Sequence, residues 1–430
     1  MKISRSDHGR LIFSPSDLVR YIDSPFASWM ARNALECPDS VIDKDPADLL
    51  LSYLAEKGIE HETRFLEALR CRHGSVVTIS DDLDDTDKLS KTMDAMQDGA
   101  EVIFQACLEM LPFRGYADFL IKVDTPSDLG EYSYVAWDTK LAKEMKPYFV
   151  IQLCCYSEML EAMQGARPQS ATVVLGTNEE VSFLLGEYFD YYLAKKGEFL
   201  AQQDSFDAEQ MPDPFLCASH GEWAGYVEER RQDIDHLSRV ANITRLQIQR
   251  LETAGIETCA DLTTTKLDRI PRLHDEIFSN LKCQATIQAR SAEIGATAYV
   301  VRPSKSVMPS GLSLMPPVDG ADLFWDLEGF PLEDGGLEYL WGCTYLDNHG
   351  DRQFWERWAH DHDQERQAFV DFVQFSYQRW RTNPEMHIYH YGHYEVSVCQ
   401  RLMGRYSVCE FEVDQLLRHG VFIDLYKIVR

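Results

Sequence analysis

The residues best suited to chemistry are two acids and a lysine that interrupt apolar runs. Asp118 lies inside "GYADFLIKV", and Asp138 and Lys140 end the next run, "YSYVAWDTKL". A charge in an apolar setting costs free energy unless it is paired, solvated or bound to a metal. If the two runs are adjacent antiparallel strands, the carboxylates approach within a few ångströms and repel each other. A divalent cation relieves that repulsion, and oxygen ligands of this kind suit Mg²⁺ or Mn²⁺.

Three further residue types fit such a site. Lys140 follows Asp138 by two residues on a strand, so both side chains point to one face, and the ammonium group could serve a metal-bound water or a scissile phosphate. Gln152 and Tyr156, four residues apart on the next predicted helix, share a face. They could contact a nucleic-acid backbone or brace the site.

His61 lies in the middle of a predicted long helix, "DPADLLLSYLAEKGIEHETRFLEALRCRHG", and is followed by Glu62. Its imidazole could add a nitrogen ligand, which favours Mn²⁺ somewhat. The alternative is structural: Asp138 and Lys140 are then an ion pair on an edge strand, and His61 is an ordinary histidine with its hydrogen bonds satisfied.

The order of these residues resembles the RecB-type nucleases of the PD-(D/E)xK superfamily. That family carries a helical His, then Gly-x-x-Asp, (Asp/Glu)-x-Lys and Gln-x-x-x-Tyr, and the resemblance covers roughly residues 10 to 230. The matching residues in this chain are His61, Gly115, Asp118, Asp138, Lys140, Gln152 and Tyr156.

This resemblance implies a metal-dependent nuclease that hydrolyses phosphodiester bonds of DNA, with single strands or ends favoured. Asp118, Asp138 and His61 would hold Mg²⁺ or Mn²⁺, Lys140 would serve the nucleophile, and the Gln–Tyr pair would position the strand. RNA stays open as a substrate, as do the cleavage polarity, the choice between endo- and exonuclease action, and the pathway, repair or defence.

Many RecB-like relatives also hold an iron–sulfur cluster on four cysteines, and this chain departs from that pattern. Thiolates bind such clusters, and Cys217 stands one place early. We therefore expect no cluster, and expect Trp29, Phe215 and Trp223 to pack in its place. The four cluster positions are occupied by Ser24, Ala218, Gly221 and Val227.

A second acidic pair occurs in "LFWDLEGFP", where Asp326 and Glu328 alternate with apolar residues and so face one side of a predicted strand. The pair resembles the first motif of the DnaQ-like exonucleases in the RNase H-like superfamily, which implies a metal site. Glu395 stands near the second motif, with His390 and His393 close by. These three acids, Asp326, Glu328 and Glu395, are the candidates for a second metal site.

The third motif of that family falls beyond residue 430, and Asp424 in "VFIDLYKIVR" is a poor substitute for it. We therefore expect the RNase H-like segment to be incomplete at its C-terminal end and the chain to be part of a longer protein. In related proteins this arrangement is often followed by a superfamily 1 helicase, which makes a helicase domain in the same chain a possible partner.

Between the two candidate sites lies "VANITRLQIQRLETAGIETCADLTTTKLDRIPRL", which resembles helix-hairpin-helix modules that bind nucleic-acid backbone. A plain helical spacer explains the pattern equally well. Four basic residues supply local positive charge here: Arg245, Arg250, Lys266 and Arg269.

Composition sets limits on these interpretations. The formal net charge of −28 over 430 residues argues against nucleic acid unless basic patches or metals offset it. The alternative hypothesis to an active nuclease is therefore a catalytically idle module, which binds nucleic acid or serves assembly within a larger helicase-nuclease. No apolar run reaches the ~18 residues that span a membrane, and the first residues, "MKISRSDHGRLIFSPSD", lack the long apolar core of a signal peptide. We expect a cytoplasmic protein without a membrane partner.

The predicted fold class is α/β, with four segments. Residues 1–230 are expected to form a restriction-endonuclease-like mixed sheet flanked by helices, and 231–300 a small helical segment. Residues 301–320, which contain four prolines and two glycines, are predicted to form a linker. Residues 321–430 are expected to form a partial RNase H-like domain with two strands, a helix, a strand and a further helix.

Overall fold

The computed structural model describes residues 3–5, 9–38, 42–217, 219–301, 311–333 and 335–429. The chain divides into two compact units, Met1–Ala298 and Tyr299–Arg430. Both units combine helices with a sheet of mixed strand direction, which confirms the predicted α/β class. The finer boundary near residue 230 stays a prediction, and residues 302–310 of the expected linker lie outside the described residues.

The first unit is built on a six-stranded sheet in the order β3-β4-β5-β6-β7-β8. The β4–β5, β5–β6 and β7–β8 pairs are antiparallel, and β3–β4 and β6–β7 are parallel. A short pair, β1 (Ser4–Arg5) and β2 (Leu11–Ile12), lies apart. The sheet strands are β3 (Val76–Thr78), β4 (Val102–Met110), β5 (Phe113–Val123), β6 (Ser133–Thr139), β7 (Ser170–Val174) and β8 (Glu180–Leu184).

Ten helices belong to this unit in the described part of the chain. They are α1 (Pro15–Asp23), α2 (Pro25–Glu36), α3 (Leu49–Arg72), α4 (Asp85–Gln97), α5 (Pro147–Gln164), α6 (Phe189–Asp204), α7 (Ala224–Asp233), α8 (Arg245–Thr253), α9 (Cys259–Thr264) and α10 (Asp275–Ile294). Local sequence explains where the central helix α5 begins and ends: proline occupies its first position, and Gly165 in the left-handed region follows its last.

Helices cover the sheet of this unit on both faces. On one face, α1, α5 and α6 contribute to the main core, for example through Leu18, Leu153 and Phe199. On the other face, α3 packs Phe65 and Leu69 against the sheet strands. Helix α3 carries His61, and α5 carries Gln152 and Tyr156. This layering therefore brings residues that are distant in sequence to the same end of strands β5 and β6.

The second unit contains a five-stranded sheet in the order β11-β10-β9-β12-β13, with the first three strands antiparallel and the last two added in parallel. Its elements are β9 (Leu323–Phe330), β10 (Leu337–Leu346), β11 (Arg352–Trp358), α11 (His362–Thr382), β12 (Ile388–His390), α12 (Tyr394–Tyr406), α13 (Glu410–Arg418), β13 (Phe422–Asp424) and α14 (Leu425–Val429).

Strand β11 and helix α6 are two of the elements that the sequence did not predict. Strand β11, "RQFWERW", is an edge strand whose side chains are nearly all exposed, so it lacks the apolar alternation that marks a half-buried strand. Helix α6 buries only four of its sixteen residues, which weakens its apolar stripe. Within the described residues, no helix is long and apolar enough to cross a membrane.

Candidate active site

The two aspartates predicted to meet do face each other at the end of a strand pair. The β5–β6 ladder ends with Phe119 opposite Trp137, so the next residue on each strand is an aspartate. Oδ2 of Asp118 accepts hydrogen bonds from the backbone N–H of Thr139 at 2.7 Å and from its hydroxyl at 2.8 Å. The last residue of β6 thus holds one carboxylate in place.

Asp138 is the buried member of the pair, with 1% of its side chain exposed. Its Oδ2 forms an ion pair with the ammonium group of Lys140, whereas its Oδ1 has no hydrogen-bond partner. A buried anionic oxygen without a partner is costly. Burial and the neighbouring charge of Asp118 raise the pKa of the Asp138 carboxyl to about 7. The donor set, oxygen atoms beside an unsatisfied buried carboxylate, fits a hard divalent cation.

His61 lies beside these residues, as the sequence predicted. Its side chain is buried, and Nε2 lies 3.5 Å from the backbone oxygen of Val174. The same oxygen accepts the backbone N–H of Lys140 at 2.9 Å. Burial lowers the pKa of His61, which favours the neutral imidazole, the form that binds metals.

Glu62 is a neighbour whose importance the sequence did not reveal. Its half-buried carboxylate accepts a hydrogen bond from the amide of Gln105. Burial, followed by the charges of Asp118 and Asp138, raises its pKa to about 7. An acid directly after the helical His61 was the only signal in the sequence, and helix spacing alone does not say which of the two side chains turns toward the sheet.

As they stand, these side chains do not form a finished metal-binding set. In the described part of the chain, no three His, Cys, Asp or Glu residues are gathered so that they could hold a metal ion. Asp118 is turned to Thr139 and Asp138 to Lys140. Binding a cation would therefore require at least one carboxylate to exchange its present partner for the metal.

The glycine and tyrosine of the predicted motifs are linked by packing. A Cβ atom added at Gly115 would lie 2.9 Å from Cε1 of Tyr156 and 2.9 Å from Cδ of Pro15. The hydroxyl of Tyr156 donates to the backbone oxygen of Tyr116 at 2.6 Å, and Nε2 of Gln152 donates to that hydroxyl at 3.2 Å. Tyr156 is 4% exposed, so it braces β5 against α5, while contact of Gln152 with a substrate stays a prediction.

The described residues at the positions where the RecB-like resemblance would place cluster cysteines have other surroundings. Ser24 caps α2 by accepting the backbone N–H of Ala27 at 3.0 Å. Val227 is buried in an apolar cluster with Trp29 and Trp223, against which Phe215 and Cys217 pack. Gly221 has a left-handed φ of 59°, and Ala218 lies outside the described residues. The predicted packing of the three aromatic residues is therefore present.

The middle segment forms short helices around a local core. Helices α8 and α9 are joined by a turn with Gly255 at φ 81°, and together with α10 they enclose an apolar cluster that includes Leu251, Leu262 and Leu281. Arg245, Lys266 and Arg269 are exposed and Arg250 is half-buried. This geometry suits both interpretations of the segment, the helix-hairpin-helix module and the helical spacer.

In the second unit, Asp326 and Glu328 project from one face of β9, as predicted, and both are exposed. Glu395 is instead buried in α12, where its Oε2 lies 3.5 Å from Nδ1 of His390. Neither of these two atoms has a hydrogen-bond partner. The structure thus pairs Glu395 with His390 in the interior and leaves the Asp-x-Glu pair at the surface.

Asp424 has a structural role in this unit. Its Oδ1 accepts the backbone N–H of Gly392 at 2.9 Å and that of Tyr426 at 3.0 Å. It therefore joins the loop after β12 to the end of β13. His393 is exposed at the position before α12.

Comparison with known proteins agrees with this strand arrangement. Residues 323–430 match the family model RNase_H_2, described as the RNase_H superfamily. This segment is RNase H-like. The match covers β9 to the end of the chain and leaves the first unit unassigned. No curated protein matches the chain.

Proposed function

We propose that the chain is a metal-dependent nuclease that hydrolyses DNA, preferably single strands or ends, at the site formed by Asp118, Asp138 and Lys140. The observation that carries the proposal is the buried Asp138, whose Oδ1 has no partner and which faces a second carboxylate. The RNase H-like segment supports a role in nucleic-acid processing, because domains of that superfamily are generally nucleases.

Asp118 and Asp138 would hold Mg²⁺ or Mn²⁺, with His61 as an additional nitrogen ligand. When bound, such an ion supplies an activated water and stabilises charge on the phosphate. Lys140 is paired with Asp138 in the structure and would offer its positive charge to the scissile phosphate. Because its backbone N–H is fixed to Val174, only the side chain needs to move from the carboxylate toward the substrate.

We also propose the four-segment organisation given by the sequence, with a nuclease domain over 1–230, and a second metal site at Asp326, Glu328 and Glu395. The exposed Asp-x-Glu pair supports that second site. Completing it would require Glu395 to leave its present contact with His390.

The decisive experiment is cleavage of labelled single- and double-stranded DNA and RNA with Mg²⁺, Mn²⁺ or EDTA. Asp138→Asn and Lys140→Ala should each abolish cutting, whereas Lys143→Ala, an exposed lysine in the following loop, should retain it. Asp326→Asn distinguishes the two sites, because it should leave first-site activity unchanged. Nucleic-acid binding without any cutting would favour the idle binding module, and cutting indifferent to Asp138 and Lys140 would remove the first site from the proposal.

A further inference from the structure

Strand β4 contains a backbone irregularity directly opposite the candidate site. Gln105 has φ 56°, a left-handed conformation that residues other than glycine seldom adopt. Its neighbours pair with β5, Phe104 with Phe119 and Ala106 with Ala117, while Gln105 itself stands opposite Asp118 without a ladder partner. Such strained residues cost about 1–3 kcal/mol and persist where the surrounding structure enforces them.

The irregularity turns the side chain of Gln105 toward helix α3. Ile103 and Ala106 belong to the same core cluster, so the usual alternation of faces is shifted by one residue at Gln105. The amide of Gln105 donates to Oε1 of Glu62. The strained residue therefore has a specific partner, and that partner is the acid next to the two aspartates.

Glu62 adds a third carboxylate to the site where Asp118 and Asp138 already repel each other. Glu62, Asp118 and Asp138 interact electrostatically with the ammonium group of Lys140. When these four groups are ionised, their charges sum to −2, which is the charge that one divalent cation balances. Asp138, buried to 1% exposure and with an unpartnered Oδ1, supplies the independent sign that a ligand atom is expected here.

We propose that Glu62 is a third carboxylate ligand of the metal site and that Gln105 is the positioning residue that holds it there. The inference rests on the proposed nuclease function and extends its ligand set beyond the residues found by sequence resemblance. It also gives a reason for the conformation of Gln105, since a regular strand would turn this amide to the other face.

The test is Mn²⁺ binding to the full chain, measured by electron paramagnetic resonance and calorimetry, together with the unfolding temperature in EDTA. Glu62→Gln keeps the acceptor for Gln105 but removes the charge. We expect Mn²⁺ affinity to fall at least about ten-fold, and the metal-free protein to unfold at a higher temperature because repulsion is relieved. Glu60→Gln is the matched control: Glu60 is exposed on the same helix, pairs with Lys57 at 2.8 Å, and should change neither quantity.

Gln105→Gly provides a second variant that should fold, because glycine adopts the left-handed conformation without strain. Losing the amide should weaken Mn²⁺ binding by a smaller factor than Glu62→Gln. A purely structural Glu62 would give the opposite pattern, with unchanged affinity and a lower metal-free unfolding temperature, and this would overturn the inference alone. If the unaltered protein bound no Mn²⁺, both this inference and the proposed function would be wrong.

Discussion

Gly115→Ala tests whether the glycine of the candidate site is there to admit Tyr156. The added Cβ would lie 2.9 Å from Cδ of Pro15, 3.2 Å from its Cγ and 2.9 Å from Cε1 of Tyr156. Neither Pro15 nor Tyr156 can move away easily. Pro15 is the first residue of α1, and the Tyr156 hydroxyl is held by the Tyr116 carbonyl.

The expected cost follows from these contacts. Overpacking a well-filled core costs about 1–3 kcal/mol, and displacing the Tyr156 ring would leave a buried carbonyl without its partner, for about 1–3 kcal/mol more. Replacing glycine returns about 0.5–1 kcal/mol of chain entropy. We therefore expect Gly115→Ala to lower the free energy of unfolding by about 3 kcal/mol, or the unfolding temperature by about 5 °C.

Scanning calorimetry measures the stability, and hydrogen–deuterium exchange reports whether protection falls in β5 and α5. Gly197→Ala is the control: this exposed glycine in α6 has no atom within 4 Å of an added Cβ, and alanine there should stabilise the helix by up to about 1 kcal/mol. Equal stability of the Gly115 variant and the unaltered protein, with unchanged exchange in α5, would refute the packing argument.

Two further changes have outcomes set by hydrogen bonds to carboxylates. Burial raises the pKa of Asp85, but hydrogen bonds from Tyr116 and Arg114 outweigh burial and hold the pKa below its ordinary value. The ionised Asp85 therefore stabilises the folded protein above pH ~4, and this contribution is lost as the pH falls through the lowered pKa. Asp85→Asn should therefore flatten the acid side of a plot of unfolding temperature against pH, and parallel curves for the two proteins would contradict the assignment. Tyr394→Phe removes the 2.8 Å hydrogen bond to the buried Glu338 and should destabilise the RNase H-like unit by about 1 kcal/mol. Calorimetry should then show a lower transition temperature for that unit. An unchanged transition temperature would show that the hydrogen bond does not contribute to stability.

Much of the fold could be predicted because many of its strands and helices have regular apolar patterns in the local sequence. Strands β4, β5 and β6 and helix α5 carry apolar periodicities of two and 3.6 residues that persist over whole elements. The same periodicity places Asp326 and Glu328 on one face of β9. Strand β11 escaped prediction because an exposed edge strand needs no apolar alternation; it is defined by its pairing with β10.

For the candidate site, the sequence by itself determined which residue types occur and in what order. His61 lies on an early helix, Asp118 and Asp138 lie on two successive strands, and Lys140 follows two residues after Asp138. Only the tertiary structure decided that Glu62 turns toward the aspartates, that Tyr156 is buried behind Gly115, and that Glu395 contacts His390. The physical reason is that local periodicity fixes the face on which a side chain lies, whereas the docking of α3, α5 and α12 onto the sheets depends on packing between residues far apart in the chain.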